Sequence, residues 1–527
     1  MASGKHPAAP LPCVVQGGEQ IAIRPQNRRF ALNPPRGLAD TRRVSDPRED
    51  LDAHTPAESV RISEVLAALS FALDLTEGQP MGHSLRSNLI AQSLAERFGL
   101  SMRQRTDLYY ASLLKDVGCS SNSARVFELF GGDDRTMKSA RMRVDWASYA
   151  KAVKFGLAQA APGASWLERA RRIASLASAG PAVAGELVAT RCAQGGAIVR
   201  SLGFGNGVVA AVESLEEHWD GHGQPRGLAG EQIPMLGRIL CLAQSLEVFS
   251  TVDGPRAALA MAEARSGRWF DPTFVRIASE MQGQIESWSA LSEAGLGDAV
   301  RAAEPGDAAL LAGPDALDRI SLAFAGVVDA KSPYTAAHSY RVTEVAMAIA
   351  RRLDFDEESL RRLKRASLLH DIGKLSLPNS ILDKPGPLSP SEWEAVKLHP
   401  YYTLRVLLHV RGFKQVAHLA ASHHERLDGA GYFRGLSGEQ FPLIAQVLAT
   451  ADQYDALSTA RPYRPALPEE TALRIMERNR DTGMCGDCLD ALAHVIPGIS
   501  APAEFTEPAR VLNPEDVIAE NDRQKAA

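Results

Sequence analysis

The stretch ASLLKDVGC (111–119) returns 255 residues later as ASLLHDIGK (366–374), with Lys115 and Cys119 exchanged for His370 and Lys374. The same offset lays GHSLRSNLIAQSLAERFGL, carrying His83, over AHSYRVTEVAMAIARRLDF, carrying His338. Further on, DGHGQPRGLAGEQIP (220–234) matches DGAGYFRGLSGEQFP (428–442) at ten of fifteen positions, now at an offset of 208. A repeat on this scale constrains the fold more than any local pattern, because each copy must bury the same faces against the same neighbours. One architecture is therefore expected twice. The change of offset, 47 residues, places an insertion in the first copy between Asp116 and Arg191. It includes GGDDRTMKSARMRVDWASYAKAVKFG and reads as extra helix and loop.

Within the copies the apolar positions follow a helical period: Val342, Val345, Ile349 and Leu353 fall on one face. Strand-like alternation is scarce, so the expectation is an all-α protein of two tandem helical bundles. At 527 residues the chain also exceeds what a single core normally reaches. The Pro-, Gly- and Arg-rich residues 1–55 read as a flexible arm and 56–292 as the first copy. The Gly-, Ala- and Asp-rich stretch 293–316 reads as a linker, 317–500 as the second copy and 501–527 as a loose tail.

Net charge is −5, with a pI near 6.3, so no broad basic field exists to gather a nucleic acid polymer or an anionic membrane. Six scattered cysteines make no disulfide framework and point to a reducing cytoplasm. The opening MASGKHPAAPLPCVV lacks a signal-peptide apolar run, and no stretch of about 18 uninterrupted apolar residues predicts a membrane span.

Chemistry concentrates in the second copy. Of thirteen histidines, seven lie between His338 and His424. His370 and Asp371 are adjacent near a helix end, His423 and His424 form another pair, and His338, His399 and Asp452 sit on other predicted helices. An isolated His or Asp is ordinarily a surface group or a satisfied core polar. Seven mixed nitrogen and oxygen ligands in one helical domain are different, because burying so many ionisable groups without a cation is costly.

The motifs HSYRV, LLHDIGK, KLHP, HHERLDGAGYFRGLSGEQFP, ADQYDALST and RPYR, in this order over about 317–470, resemble the HD superfamily of metal-dependent phosphohydrolases, and more closely its HD-GYP family of cyclic di-GMP phosphodiesterases. The resemblance implies two tandem HD-type bundles, the first degenerate. It also implies that His338, His370, Asp371, His399, His423, His424 and Asp452 ligate two divalent metals, iron or manganese, with Asp371 bridging. A metal-bridging hydroxide would attack a cyclic dinucleotide, cyclic di-GMP first. A Glu that serves a third metal in some members is Tyr334 here, so two ions are expected.

By the same resemblance Lys374 would neutralise phosphate charge beside Asp371; on its own it reads equally as a helix C-terminal lysine. Gly431 and Tyr432 belong to the substrate loop, which here continues with Phe433 instead of the family's proline. Arg461 and Arg464 are candidate phosphate contacts or plain surface charges. Phe433 leaves open a phosphohydrolase of another nucleotide, and a non-catalytic nucleotide sensor is the reading from a different class.

Carried back through the offsets, His83 and Asp116 persist, while His370 becomes Lys115, His399 Arg191, His423 Leu215, His424 Glu216 and Asp452 Gln244. Five of seven ligands are lost. Lys115 and Arg191 would repel metal and could pair with Asp116 or Glu216. Three roles stay open for such a copy: a contact in a homodimer, an effector pocket or a structural brace. GGDD (131–134) and CGDC (485–488) read as chance and as a helix-terminal turn.

Overall fold

A computed structural model describes residues 60–498 except 145–148, 163, 180–181 and 307–310. The expected arm, 1–55, and tail, 501–527, lie outside the described residues. The first copy runs through α1 (Ile62–Thr76), α2 (His83–Phe98), α3 (Met102–Leu114), α4 (Ser123–Phe130), α5 (Asp134–Arg141), α6 (Tyr149–Gln159), α7 (Trp166–Ala179), α8 (Ala182–Ser201), α9 (Asn206–Glu213) and α10 (Met235–Asp253). It continues through α11 (Pro255–Ala264), α12 (Pro272–Ala278), α13 (Gln282–Ser289) and α14 (Glu293–Ala302). The second comprises α15 (Pro314–Asp329), α16 (His338–Arg352), α17 (Glu357–Leu369), α18 (Asn379–Leu382), α19 (Pro390–Val396), α20 (His399–Leu408), α21 (Lys414–Ala420), α22 (Leu443–Ser458), α23 (Glu469–Glu477) and α24 (Gly486–Val495). Two strands, β1 (Val60–Arg61) and β2 (Leu311–Ala312), pair antiparallel where the copies meet. The fold is all-α, as the periodicity predicts.

Local chemistry starts these helices. Ser101 and Gln104 form a capping box at α3, Ser389 and Glu392 do the same at α19, and Asp356 caps α17 by accepting from Ser359 N at 2.7 Å. Val342, Val345 and Ile349 bury one face of α16. The paired helices α2/α16, α3/α17 and α10/α22 begin at positions related by the sequence offsets. A tight crossing is shared as well: a Cβ on Gly373 would collide with the backbone of His399 and Thr403, and one on Gly118 with that of Arg191 and Gly195. Arg191 therefore stands where His399 does.

The copies share one hydrophobic core. In α1, Val65, Leu66, Leu69, Phe71 and Leu73 are all buried, and a helix apolar on nearly every side must be covered on nearly every side. Its own α2 and α3 cover one flank; α20 and the 3₁₀ turn Ile372–Ser376 of the second copy cover the other. The Phe71 ring lies 4.6 Å from that of His409. Each such buried side chain contributes about 1.5–3 kcal/mol, so the interface is a core and not a loose contact.

The segment 293–316, expected to be a linker, departs from that description. Its residues 293–302 form α14, whose Leu296 and Val300 are buried against the first copy. Glu293 pairs with Arg405 across the copies at 2.6 Å, and Glu304 accepts from Tyr110 Oη at 3.1 Å. Small residues suggested a loop, yet Ala favours helix and the apolar pair has a surface to cover. The inserted residues form α5 and α6. Gly131 ends α4 in a left-handed turn and Asp133 caps α5, which explains GGDD as a helix corner. Cys485 caps α24 in the same way. One described helix, α10, is long and apolar enough to cross a membrane, but it is two-thirds buried within the protein.

Candidate metal centre

Five segments deliver the seven expected ligands to one point. His338 opens α16, His370 and Asp371 close α17, His399 opens α20, His423 and His424 follow α21, and Asp452 projects from α22. Asp371 lies in the middle and divides the others. Its Oδ2 is 3.3 Å from both His338 Nε2 and His370 Nε2, which also face Asp452 Oδ1 at 3.3 and 3.7 Å. Its Oδ1 is 3.5 Å from His399 Nε2 and 3.6 Å from His423 Nε2. His424 lies beside this second group, with Nδ1 3.9 Å from Asp452 Oδ2. The result is two groups of candidate ligands with one carboxylate between them.

The rings are aimed by their other nitrogens. Nδ1–H of His370, His399 and His423 donates to the carbonyls of Ser367, Val396 and Ala420 at 2.7, 2.7 and 2.6 Å. His338 Nδ1 pairs with Asp455 Oδ2 at 2.7 Å, and Arg341 Nε holds Asp455 Oδ1 at 2.5 Å. Fixing Nδ1 turns each Nε2 inward. There, Nε2 of His338 and His370 and Oδ1 of Asp371 are buried without a hydrogen-bond partner. Buried polar atoms are almost always paired, and imidazole with carboxylate suits divalent cations. The residues present fit two such ions.

Electrostatics agree. Burial disfavours a charged imidazole, yet Asp371 and Asp452 outweigh it and raise His370 to about 9. Burial works against Asp371 and Asp452 too, but their histidine neighbours, with Lys374 beside Asp371, hold both well below the usual carboxylate range. This half of the site draws positive charge. In the other half burial and neighbouring imidazoles push His399 down to about 3 and lower His423, and burial takes His424 to about 4. Those rings are neutral lone-pair donors.

Lys374 Nζ donates to Asp371 Oδ2 at 2.5 Å and is partly exposed. The Tyr432 ring is 4.7 Å from His424 and 6.4 Å from His399. Gly431 has no room for a Cβ, which would meet Glu425 Cα and the His424 carbonyl. Arg464 is drawn away from the expected phosphate role: its guanidinium donates to the carbonyls of Ala456, Leu457 and Pro465, closing the end of α22. Arg461 lies alongside, its backbone N bonded to Arg464 O at 2.8 Å.

Several residues went unnoticed in the sequence. Buried Glu425 accepts from Arg434 N and Leu436 N at 2.7 and 2.9 Å and so holds the glycine loop; Asp455 aims His338; Asp329 accepts from Ser339 Oγ at 2.8 Å beneath it. A signal existed. Glu217, Glu247, Asp74, Ser84 and Arg86 occupy the corresponding places in the first copy and make the same contacts.

Where the second copy presents open ligands, the first has built-in cations. Lys115 Nζ donates to Asp116 Oδ2 and lies 2.9 Å from His83 Nε2. Arg191 reaches Asp116 Oδ1 at 3.3 Å and Glu216 at 2.8 Å. A further trio, Glu77, Asp116 and Cys119, has ligand spacing, but Asp116 is already neutralised and Glu77 lies 3.6 Å from Lys138.

The HD domain family model matches residues 184–274 and 323–485. The chain is 40% identical over 446 residues to the 3′3′-cGAMP-specific phosphodiesterase 3 of Vibrio cholerae, covering 85% of this chain and 96% of that one. It is 41% identical over 160 residues to the cyclic di-GMP phosphodiesterase response regulator RpfG of Xanthomonas campestris, covering 30% of this chain and 42% of the relative. The crystal structure of the V. cholerae cyclic GMP-AMP phosphodiesterase V-cGAP3 superposes with a TM-score of 0.59 at 37% identity, over 85% of this chain and 100% of that one. With its ligand geometry, its repeated helical bundle and these matches, the chain belongs to the HD-domain phosphohydrolases, in the HD-GYP family of metal-dependent cyclic-dinucleotide phosphodiesterases.

Proposed function

We propose that the second copy hydrolyses a 3′3′-linked cyclic dinucleotide with two divalent ions, iron or manganese, and that 3′3′-cGAMP precedes cyclic di-GMP as substrate. The observation that carries the reaction is the division of six ligands around Asp371 into two sets. The substrate order rests on extent of likeness. One relative named for 3′3′-cGAMP matches across both copies, whereas two others so named and the relatives named for cyclic di-GMP match about the length of one copy. The cyclic di-GMP expectation keeps its own support, 41% identity over 160 residues to a relative named for that substrate.

Two bound ions would supply Lewis acidity and a water acidic enough to attack near neutral pH. The chain supplies the rest. His338, His370, Asp371 and Asp452 would hold one ion, and His399, His423, His424 and Asp371 the other. Lys374 places positive charge beside Asp371, where a phosphate oxygen or the departing 3′ oxygen needs it. Tyr432 and half-exposed Trp393, whose rings are 5.8 Å apart, form an aromatic wall next to His424 on which a base can stack. Gly431 and Tyr432, in the loop held by Glu425, position that wall, and Arg461 would serve as a phosphate contact.

Incubating purified protein with Mn(II) or Fe(II) and each dinucleotide, and separating products by chromatography, tests this reading. Linear product from 3′3′-cGAMP, lost in Asp371→Ala, is expected. No turnover of either dinucleotide by metal-loaded protein overturns the activity; faster cleavage of cyclic di-GMP overturns the substrate order.

A further inference from the structure

The first copy holds a cavity of about 440 Å³, within the range of small-molecule sites. It lies between the vestigial ligand shell and the insertion. Arg191, Glu216 and Gln244 line it together with Val126, Phe130 and Phe155. Two side chains there want a partner. Gln244 Oε1 and Asn122 Oδ1 are buried acceptors without a hydrogen bond, in residues only 6% and 8% exposed, and both residues line the cavity. Leaving such acceptors unpaired is unfavourable, so a ligand bearing donors would be held by them.

Charge narrows the ligand further. Lys138 donates to Cys119 O at 2.6 Å and Ser123 Oγ at 2.7 Å, and Arg141 and Arg191 both pair with Glu216, at 3.2 and 2.8 Å. The cations are engaged, so the cavity is not built for a multiply charged phosphate. A flat ring system with N–H donors on its edge suits a largely apolar lining that includes two unpaired acceptors.

One short helix joins this cavity to the catalytic copy. Met137, Lys138 and Arg141 of α5 line the cavity. At the other end of α5, Asp134 Oδ1 accepts from Asn379 N at 2.8 Å and the Arg135 guanidinium donates to Ser376 O. Ser376 ends the 3₁₀ turn that carries Lys374.

We propose that this cavity binds an uncharged heteroaromatic molecule of nucleoside type, and that α5 transmits its occupancy to the turn carrying Lys374. The full chain, metal-loaded, is tested by equilibrium dialysis with adenosine and guanosine, with AMP and GMP as charged arms and an anilinonaphthalene dye as the purely apolar arm. Saturable nucleoside binding is expected, weakened about tenfold or more in Gln244→Leu, which removes an acceptor. Ser245→Trp, which fills the cavity, provides a second loss-of-binding variant should Gln244→Leu fold poorly. Absence of nucleoside binding at millimolar concentration, equal binding by both variants, tighter binding of the mononucleotides, or binding of the dye alone each overturns the assignment.

The coupling arm rests on the phosphodiesterase reading above, whereas the binding arm does not require turnover. Nucleoside is expected to change cyclic-dinucleotide turnover in the parent chain, and Arg135→Ala is expected to abolish that response while retaining binding. An unresponsive parent chain, or a full response in Arg135→Ala, overturns the coupling.

Discussion

His370 and Lys115 stand at one position of one scaffold, and the contrast between their surroundings separates what the scaffold requires from what catalysis requires. In the second copy, Asp371 faces inward-pointing imidazoles, and Nε2 of His338 and His370 lacks a hydrogen-bond partner. In the first, Asp116 receives Lys115 and Arg191 from the chain itself. The supporting residues are nearly unchanged: Asp74 and Asp329 each hold a serine, and Glu217 and Glu425 each hold a glycine loop. Even the acid behind the first histidine is kept in kind, as Glu247 and Asp455. A buried carboxylate must be paired. One copy leaves that pairing open to metal, and the other completes it internally.

The sharpest way to break this comparison is to remove the central acid from each copy. Asp371→Ala should abolish bound metal and reduce turnover by about 10³-fold or more, since both ligand sets lose their bridge. Asp116→Ala should leave metal content, read by elemental analysis, unaltered. Loss of metal from the Asp116 variant would sink the distinction between the copies.

A second test exchanges metal dependence for charge dependence. Lys115→Ala removes one partner of a buried ion pair and should destabilise the first copy by about 3–5 kcal/mol, measured by chemical denaturation, with the metal stoichiometry unchanged. The chelator EDTA should act in the opposite sense, removing turnover while leaving the first copy's ion pairs in place.

Smaller effects are expected from the acids behind the first histidine. Asp455→Ala should weaken metal affinity by about 10–100-fold through loss of the His338 ring orientation. Glu247→Gln should change stability alone. Comparable metal loss in both variants would show that the copies are coupled more tightly than their separate ligand shells imply.

Acid should separate the copies more gently. Burial disfavours ionised Asp116 and Glu216, but Lys115 and Arg191 for the first, and Arg141 and Arg191 for the second, hold both at about 2. Their folded values lie below the ordinary 3.8 and 4.5. Their stabilisation is therefore complete above about pH 4.5 and lost as pH falls through about 2. Metal, which competes with protons for imidazole nitrogen, should leave the second copy at higher pH. Metal content and circular dichroism followed together on acid titration check the order.

Much of this was legible in one sequence because a repeat supplies its own comparison. Residues differing between copies, His370 against Lys115 and His399 against Arg191, marked the candidate ligands. Residues kept in both, such as Glu425 and Glu217, marked the support, but that signal was easy to pass over because a conserved glutamate in a loop resembles a surface charge. Arg464 was misplaced for a related reason. Charge in a sequence does not say whether a guanidinium faces substrate or the carbonyls of a helix end.

By itself the sequence determined the helical class, the duplication, the insertion and which histidines and aspartates to examine, since these follow from periodicity, internal repetition and side-chain chemistry. Tertiary structure decided how they combine. It showed Asp371 standing between two groups of histidines, α1 and α14 joining the copies where a linker was expected, and α5 spanning from a cavity to the turn that carries Lys374. Such relations depend on contacts between segments hundreds of residues apart, which helical periodicity, repeating every few residues, does not encode.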